Sequence, residues 1–251
     1  MSPLAARTLI IAALCAAWEI LPRAGLIPTL FLSPLSASAQ VALHSYPVYL
    51  ANLWVTVWEI ALALLIACGG GVLLGGAIGA FSYSRRVLLP LISSVYAVPF
   101  VVLYPLATVW LGIGSASKVA FAGLYGLIPT VLATAAGVQL IDRNLILAAR
   151  SIGARGITLV VRILLPATIP TVLAAVKIGA ALVIVGVVVG EMLVSTAGIG
   201  YLIAQNRTSF NTPEVYLAIV VVLGIAWALE RALFFLERRF ANWSLHTQKT
   251  S

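Results

Sequence analysis

The chain has 251 residues, of which 62% are hydrophobic and only 9% carry a charge, and its mean hydropathy is +1.12. A soluble domain carries about 25% charged residues, so this composition excludes a soluble globular protein and predicts an all-α integral membrane protein in contact with lipid. The formal net charge of +8 comes mainly from basic residues between apolar segments. That distribution is typical of the cytoplasmic loops of membrane proteins and does not indicate nucleic-acid binding.

We predict about six transmembrane helices in one transmembrane domain over residues 1–251. An apolar helix of about 20 residues spans a bilayer. The predicted spans cover residues 8–21, 52–83, 88–111, 119–141, 169–194 and 215–236. External loops are predicted at 22–46, with a short surface helix at 35–44, and at 112–118 and 198–213. Within the second span, Gly71, Gly75 and Gly79 recur every four residues, a spacing that allows close approach of another helix.

Basic residues are unequally divided between the two sides of this topology. The predicted external side holds only Arg23, Lys118 and Arg207. The other side holds Arg7, Arg85, Arg86, Arg143, Arg150, Arg155, Arg162, Arg238, Arg239 and Lys249. Because basic residues are enriched in cytoplasmic loops, we expect both termini and the basic segment 142–168 in the cytoplasm.

The basic segment 142–168 lies between the fourth and fifth predicted spans. A charge at the bilayer centre costs at least about 2.5 kcal/mol, so its four arginines keep the segment out of the hydrocarbon. The pattern predicts a first short helix over 145–152 that Gly153 ends. The pattern then predicts a turn at Gly156 and a second helix over 157–165. Pro166 is predicted to start the next helix. A basic helical hairpin between two apolar spans predicts a docking surface.

This segment resembles the EAA loop of the membrane subunits of ABC importers. In that family the pattern is Glu-Ala-Ala, three residues, Gly, nine residues, Ile, one residue and Leu-Pro. Leu147 takes the place of the family's Glu. The matching positions here are Ala148, Ala149, Gly153, Ile163, Leu165 and Pro166. With Leu147, Arg150 and Ala154, these are the candidate residues for coupling to an ATPase.

The resemblance extends over residues 21–243 and points to the nitrate, sulfonate and taurine branch of the family, which also includes permeases for pyrimidine vitamin precursors. The runs WLGIGSASKV and VKIGAALVIVGVVVGEM carry it. Glu59 and Lys177 lean towards the vitamin-precursor or aromatic-substrate type. The resemblance implies a type I importer fold and a homodimer in a bacterial inner membrane. It also implies a cytoplasmic ATPase dimer docked on the loops and an external substrate-binding protein.

The chain shows no Walker A pattern, since Lys118 follows Ser117 rather than Gly. We therefore expect ATP and magnesium to be bound by the partner ATPase, and no cofactor by this chain. Few polar residues fall in the predicted spans, so substrate recognition is expected to reside mostly in the binding protein.

Three residues are candidates for the translocation path: Trp58, Glu59 and Glu191. An ionisable residue inside the membrane is a functional hypothesis by default. Glu191 either lines or latches the path, or lies near the outer headgroups and hydrogen-bonds the end of a helix. Glu59 either faces the path or extends outward to the membrane surface.

Two other functions remain open at this stage. An intramembrane enzyme built on Glu59 and Glu191 requires the two carboxylates to come close together, because acid–base partners work near contact. A channel or carrier that does not use ATP predicts activity from this chain alone.

Overall fold

The computed structural model describes residues 3–246, except for the side chains of residues 3, 4, 143, 157, 160, 161, 165 and 240–246. Within residues 3–246 the regular structure is entirely helical, which confirms the predicted fold class. The helices are α1 Pro3–Arg23, α2 Leu35–Leu64, α3 Gly71–Ala80, α4 Ser82–Tyr96, α5 Tyr104–Leu111, α6 Ser115–Gln139, α7 Arg143–Ser151, α8 Gly156–Leu159, α9 Leu165–Leu193, α10 Ile199–Thr208 and α11 Thr212–His246. Single π-helical turns occupy Leu65–Gly70 and Val160–Leu164, and a 3₁₀ turn occupies Phe100–Leu103.

Within the described residues, five helical runs are long and apolar enough to cross a membrane, or six if one bent pair is counted as a span. The five runs are Ala5–Arg23, Leu35–Ala80, Ser115–Gln139, Pro166–Leu193 and Thr212–Arg239. The predicted third span is the bent pair, in which α4 meets the following helix at 80°. Pro99 adopts an extended conformation at the bend. Pro105 lies in the first turn of α5, where the missing N–H of a proline costs little.

The predicted surface helix at 35–44 is helical, but it is the first part of a run that continues for 46 residues through the π turn. Such a run is more than twice the length of about 20 residues that a span needs. Part of it therefore extends beyond the hydrocarbon.

The stretch 198–213, predicted as an external loop, is mostly helical, because α10 occupies most of it. The predicted turn at 112–118 is also too long, since α6 begins at Ser115. Pro166 does not open a separate helix, because the helical run continues from Gly156 through the π turn into α9. In the first two places a helix begins at polar or glycine-containing sequence that, read alone, is typical of loops, and in the third the helix continues through a proline.

The helices group into two compact units, each assembled from separate parts of the chain. One unit contains the residues up to Trp58 together with Val188–Ile225. The other contains Glu59–Val187 and the chain from Ala226 onward. The boundaries fall inside α2, α9 and α11.

In the Glu59–Val187 unit, α3 lies directly against α6 along the glycines of the second predicted span. A Cβ atom added to Gly71 would lie 2.6 Å from the Thr130 Cβ, and one added to Gly75 would lie 2.6 Å from the Val131 carbonyl oxygen. Gly79 has a comparable clash with the next turn of α6. The predicted close helix approach is confirmed.

In the other unit, the connection from α1 to α2 is ordered by side-chain hydrogen bonds. The Glu19 carboxylate accepts from the Ser36 backbone N–H at 3.0 Å and from the Ser36 hydroxyl at 2.7 Å. It therefore caps the first turn of α2, where carboxylates are favoured by the helix dipole. The Trp18 indole N–H donates to the Ser33 carbonyl at 2.9 Å.

Candidate functional site

The basic segment contains the predicted first helix as α7, whereas the predicted second helix begins as α8 and continues through the π turn into α9. Asp142 begins α7 as its N-cap, because its side chain accepts the Asn144 backbone N–H at 2.8 Å. Ser151 ends α7, and the chain then turns at Gly153 and Gly156, which have φ angles of +89° and +53°.

Gly153 ends α7 in a Schellman motif. Its N–H donates to the Arg150 carbonyl at 3.0 Å, and the Ala154 N–H donates to the Ala149 carbonyl at 2.9 Å. A Cβ atom on Gly153 would meet nothing within 4 Å. Glycine is therefore needed here because the backbone is left-handed. A side chain would have enough space.

The candidate coupling residues differ in their accessibility on the isolated chain. Leu147 is 62% exposed, and Ile152 just after α7 is 83% exposed. Exposed apolar side chains on a segment that cannot enter the hydrocarbon are typical of an interaction surface. Among the other candidates, Ala148, Arg150 and Gly153 are exposed, Ala149 is buried, and Ala154, Ile163 and Pro166 are half-buried, while the Leu165 side chain lies outside the described part.

Glu59 forms a buried ion pair with Lys118. The Lys118 ammonium lies 2.6 Å from Glu59 Oε1, and both side chains are almost fully buried. The Ser115 hydroxyl, in the first turn of α6, donates to the same oxygen at 2.7 Å. Glu59 Oε2 is buried and has no hydrogen-bond partner among the described residues.

Sequence reasoning missed the partners of Glu59. Lys118 was predicted to lie in an external turn, whereas it is buried in the first turn of α6. The available signal was the rarity of isolated charges in apolar helices. A buried charge needs a partner, but the chain has three lysines and twelve arginines, so this signal does not single out Lys118.

Glu191 belongs to a cluster that caps α10. The N–H groups of three successive residues each donate to a side chain: Gly198 to Asn52 Oδ1 at 2.7 Å, Ile199 to Thr56 Oγ1 at 2.8 Å and Gly200 to Glu191 Oε2 at 2.7 Å. These are groups that the start of a helix leaves without partners inside the helix. The cluster therefore fixes the beginning of α10.

Both glycines beside this cap are required by their surroundings. A Cβ atom on Gly198 would lie 2.0 Å from Glu191 Oε1, and this residue has a φ of +115°. A Cβ atom on Gly200 would lie 2.4 Å from the Val188 carbonyl oxygen. The Gly-x-Gly turn after Glu191 thus lets the carboxylate reach the helix end.

The three path candidates have distinct environments. Glu59 and Glu191 are buried with partners of their own, and Trp58 is about half exposed on the isolated chain. Glu191 accepts a hydrogen bond from the start of α10, which agrees with the hypothesis that it bonds the end of a helix. A role for the three residues in a translocation path stays a prediction.

A further ion pair joins α9 and α11, where Lys177 contacts Glu237. Both side chains are partly exposed. The pair gives the charge of Lys177 a protein partner.

Comparison with known proteins identifies the family. The family model for the "binding-protein-dependent transport system inner membrane component" matches residues 69–242. A probable ABC transporter permease of Brucella melitensis is 30% identical over 67% of this chain and 69% of its own length. The taurine transport system permease protein TauC of Escherichia coli is 32% identical over 77% of this chain and 72% of its own. The riboflavin transport system permease protein RibX of Chloroflexus aurantiacus is 30% identical over 88% of this chain and 91% of its own length.

The fold is similar to that of a solved transporter. An inward-facing structure of the MetNI methionine ABC transporter contains a chain that superposes with a TM-score of 0.63 at 18% identity, covering 74% of this chain and 96% of that one. At this identity the likeness concerns the fold alone. The matched family and the apolar helices make this a multi-pass inner-membrane protein, and the chain belongs to the inner-membrane components of binding-protein-dependent transport systems, the permease subunits of ABC importers.

Proposed function

We propose that this chain couples ATP hydrolysis by a separate subunit to the import of a small solute by alternating access. The observation that carries the proposal is the coupling segment. Residues 142–168 combine the spacing of the EAA loop with the short helix α7, the helical run that begins with α8, and exposed Leu147 and Ile152. A short helix with exposed apolar side chains suits insertion into a groove on a partner.

The proposed assembly contains two copies of this chain and a cytoplasmic ATPase dimer that binds ATP and magnesium. An external binding protein delivers the substrate. The charge distribution of the sequence supports cytoplasmic termini and a cytoplasmic coupling segment. The absence of a Walker A pattern supports a separate ATPase subunit.

The helix connections suggest how movement passes from the ATPase to the membrane. Helix α8 continues through the π turn into α9, so a displacement of the docked segment acts directly on the fifth span. Helix α9 in turn packs closely on α6, since a Cβ atom on Gly126 would lie 2.7 Å from the Gly179 carbonyl oxygen. Packed helices move as rigid bodies, and this movement would open the path alternately to the two sides.

For the substrate, we propose a small organic solute of the taurine and sulfonate type or of the aromatic vitamin type. Lys118 and Lys177 are both paired with carboxylates, and an anionic solute would have to compete with these partners. The relation to a riboflavin permease over 91% of that protein also favours the aromatic type.

The test is capture of the ATPase of the same transport system by the detergent-solubilised chain. Wild type is expected to capture it stoichiometrically. Gly153→Trp is expected to lose capture, because a residue with a side chain at a left-handed position costs roughly 1–2 kcal/mol and disturbs the end of α7. The matched control is Gly224→Trp on α11, where a Cβ atom meets nothing within 4 Å and φ is ordinary.

Equal capture by Gly153→Trp and wild type would remove the coupling role from this segment. Failure of wild type to capture any ATPase would favour a carrier that does not use ATP.

A further inference from the structure

A polar cavity of about 370 Å³ lies in the unit formed by the residues up to Trp58 and Val188–Ile225. It lies beside the connection from α10 to α11, where it meets the first half of α2. Two aliphatic side chains contribute to its lining. The remaining lining residues are polar: Ser45, Gln205, Asn206, Thr208, Ser209 and Glu214.

Among the described residues, Glu214 is the one charged side chain that lines this cavity, and it makes the lining negative. The four lining residues near the end of α10 come from its last turn and its C-cap. Arg207 lies in the same turn but is not a lining residue.

Hydrogen bonds hold the Glu214 carboxylate in place, and it can still accept further hydrogen bonds. The Tyr49 hydroxyl lies 2.8 Å from Glu214 Oε2 and 2.7 Å from the Glu214 carbonyl oxygen, and its single proton can be donated to either. The Ser45 hydroxyl donates to Oε1 at 3.2 Å. A carboxylate has about four acceptor sites, so both oxygens can accept further donors. Tyr49 is itself buried, which makes the carboxylate a fixed acceptor.

The residue after Ser209 is an exposed aromatic at the end of α10. Phe210 is 73% exposed. Its φ of +56° belongs to a Schellman motif, in which its N–H donates to the Arg207 carbonyl at 3.2 Å and the Asn211 N–H donates to the Asn206 carbonyl at 2.9 Å. An exposed ring that follows a lining residue in the chain offers apolar contact to a partner.

We propose that this cavity receives a lysine or arginine side chain of the external binding protein, whose surface covers Phe210. The inference rests on the proposed importer function and on its topology, which puts the α10–α11 connection outside the membrane. Lysine presents three donors and arginine five, which suits a cavity lined by a carboxylate, amide oxygens and hydroxyls. Aromatic residues and arginines dominate the energetic centres of protein interfaces.

The test measures binding of the system's purified binding protein to the complete permease–ATPase complex in nanodiscs. We expect Glu214→Gln to weaken binding by on the order of 10-fold, with the loss shrinking as salt rises, because the contact is a charge pair near the surface. Gln205→Lys, which places a cation in the cavity from this chain, is expected to weaken it similarly. The matched control is Glu230→Gln, which makes the same charge change at an exposed position of α11.

ATPase stoichiometry measured in the same samples separates the two proposals. Normal ATPase content with unchanged affinity in both cavity variants would overturn the docking site and leave the importer function standing. Loss of the ATPase from wild type would instead overturn the importer function. A binding-protein variant with one surface Lys→Glu change that recovers affinity for Glu214→Lys would identify the inserted side chain.

Discussion

The Thr56 hydroxyl donates a hydrogen bond of 2.7 Å to the carboxylate of Glu191, although the two residues are 135 positions apart. The same hydroxyl oxygen accepts the Ile199 backbone N–H at 2.8 Å. One threonine therefore joins α2, α9 and the start of α10. Its buried partner Glu191 uses both carboxylate oxygens as acceptors, since Oε2 accepts from Gly200.

This arrangement separates the two hypotheses for Glu191 by experiment. Glu191→Ala removes the acceptor of the Gly200 N–H, and an unsatisfied buried group costs about 1–3 kcal/mol. The Thr56 hydroxyl loses its shorter hydrogen bond and keeps the Asn52 carbonyl as an acceptor at 3.2 Å. We expect a clear fall in melting temperature in detergent. Glu191→Gln keeps one oxygen for Gly200, and its amide can donate to Thr56, so we expect near-normal stability.

Transport by Glu191→Gln then decides the role of the charge. Near-normal uptake would show that Glu191 acts as a helix cap. Loss of uptake at normal melting temperature would assign the carboxylate to the translocation path instead.

The Glu59–Lys118 ion pair leads to a second prediction. Removal of one member of a buried pair leaves an uncompensated charge and typically costs about 3–5 kcal/mol. Glu59→Gln and Lys118→Met are each expected to destabilise the protein strongly. The double variant should lose less stability than the two single variants lose in sum. The difference is expected to be about 0.5–3 kcal/mol, because residues in contact are energetically coupled.

Thermal unfolding of the four proteins in the same detergent measures this coupling. Strictly additive losses of stability would mean that the interaction between Glu59 and Lys118 does not stabilise the fold. A role of Glu59 would then have to be in transport.

The contact of α3 with α6 gives a third prediction with a neighbouring control. A Cβ atom on Gly75 would lie 2.6 Å from a backbone oxygen, so Gly75→Ala forces the two helices apart. Overpacking of this kind costs about 1–3 kcal/mol. Gly76→Ala meets nothing within 4 Å and should be neutral or slightly stabilising, because alanine favours helix more than glycine does. Equal melting temperatures for the two variants would contradict the close packing of α3 on α6.

The sequence predicted those features that depend on composition and local chemistry. Apolar runs predicted the spans, and Gly153 predicted the end of α7, because a helix commonly ends at a glycine in the left-handed conformation. The spacing of Gly71, Gly75 and Gly79 predicted a close helix contact. Each of these signals lies within one stretch of chain.

The partners of the buried polar groups could not be predicted, because they come from distant parts of the sequence. Nothing near Glu59 indicates Lys118, and nothing near Glu191 indicates Thr56. Helix α10 was missed for the same reason. Its start depends on acceptors from α2 and α9, whereas its own glycines are typical of a loop.

The last prediction concerns the departure from the EAA pattern at Leu147. On the isolated chain its side chain is 62% exposed beside the 83% exposed Ile152, so docking would bury both. Burial of a leucine side chain contributes about 1.5–3 kcal/mol. The groove of the partner ATPase is therefore expected to be apolar where it meets Leu147. Leu147→Glu should weaken capture of the ATPase by about 10-fold or more, although it restores the family's residue.

Leu140→Glu is the matched control, since Leu140 is 78% exposed but lies before the coupling segment. It makes the same change of charge and is expected to leave capture unchanged. Capture that improves in Leu147→Glu would contradict an apolar groove, because it would mean that the ATPase still presents a basic partner for the missing glutamate. Specific loss in Leu147→Glu would show instead that this permease and its ATPase have exchanged a charged contact for an apolar one.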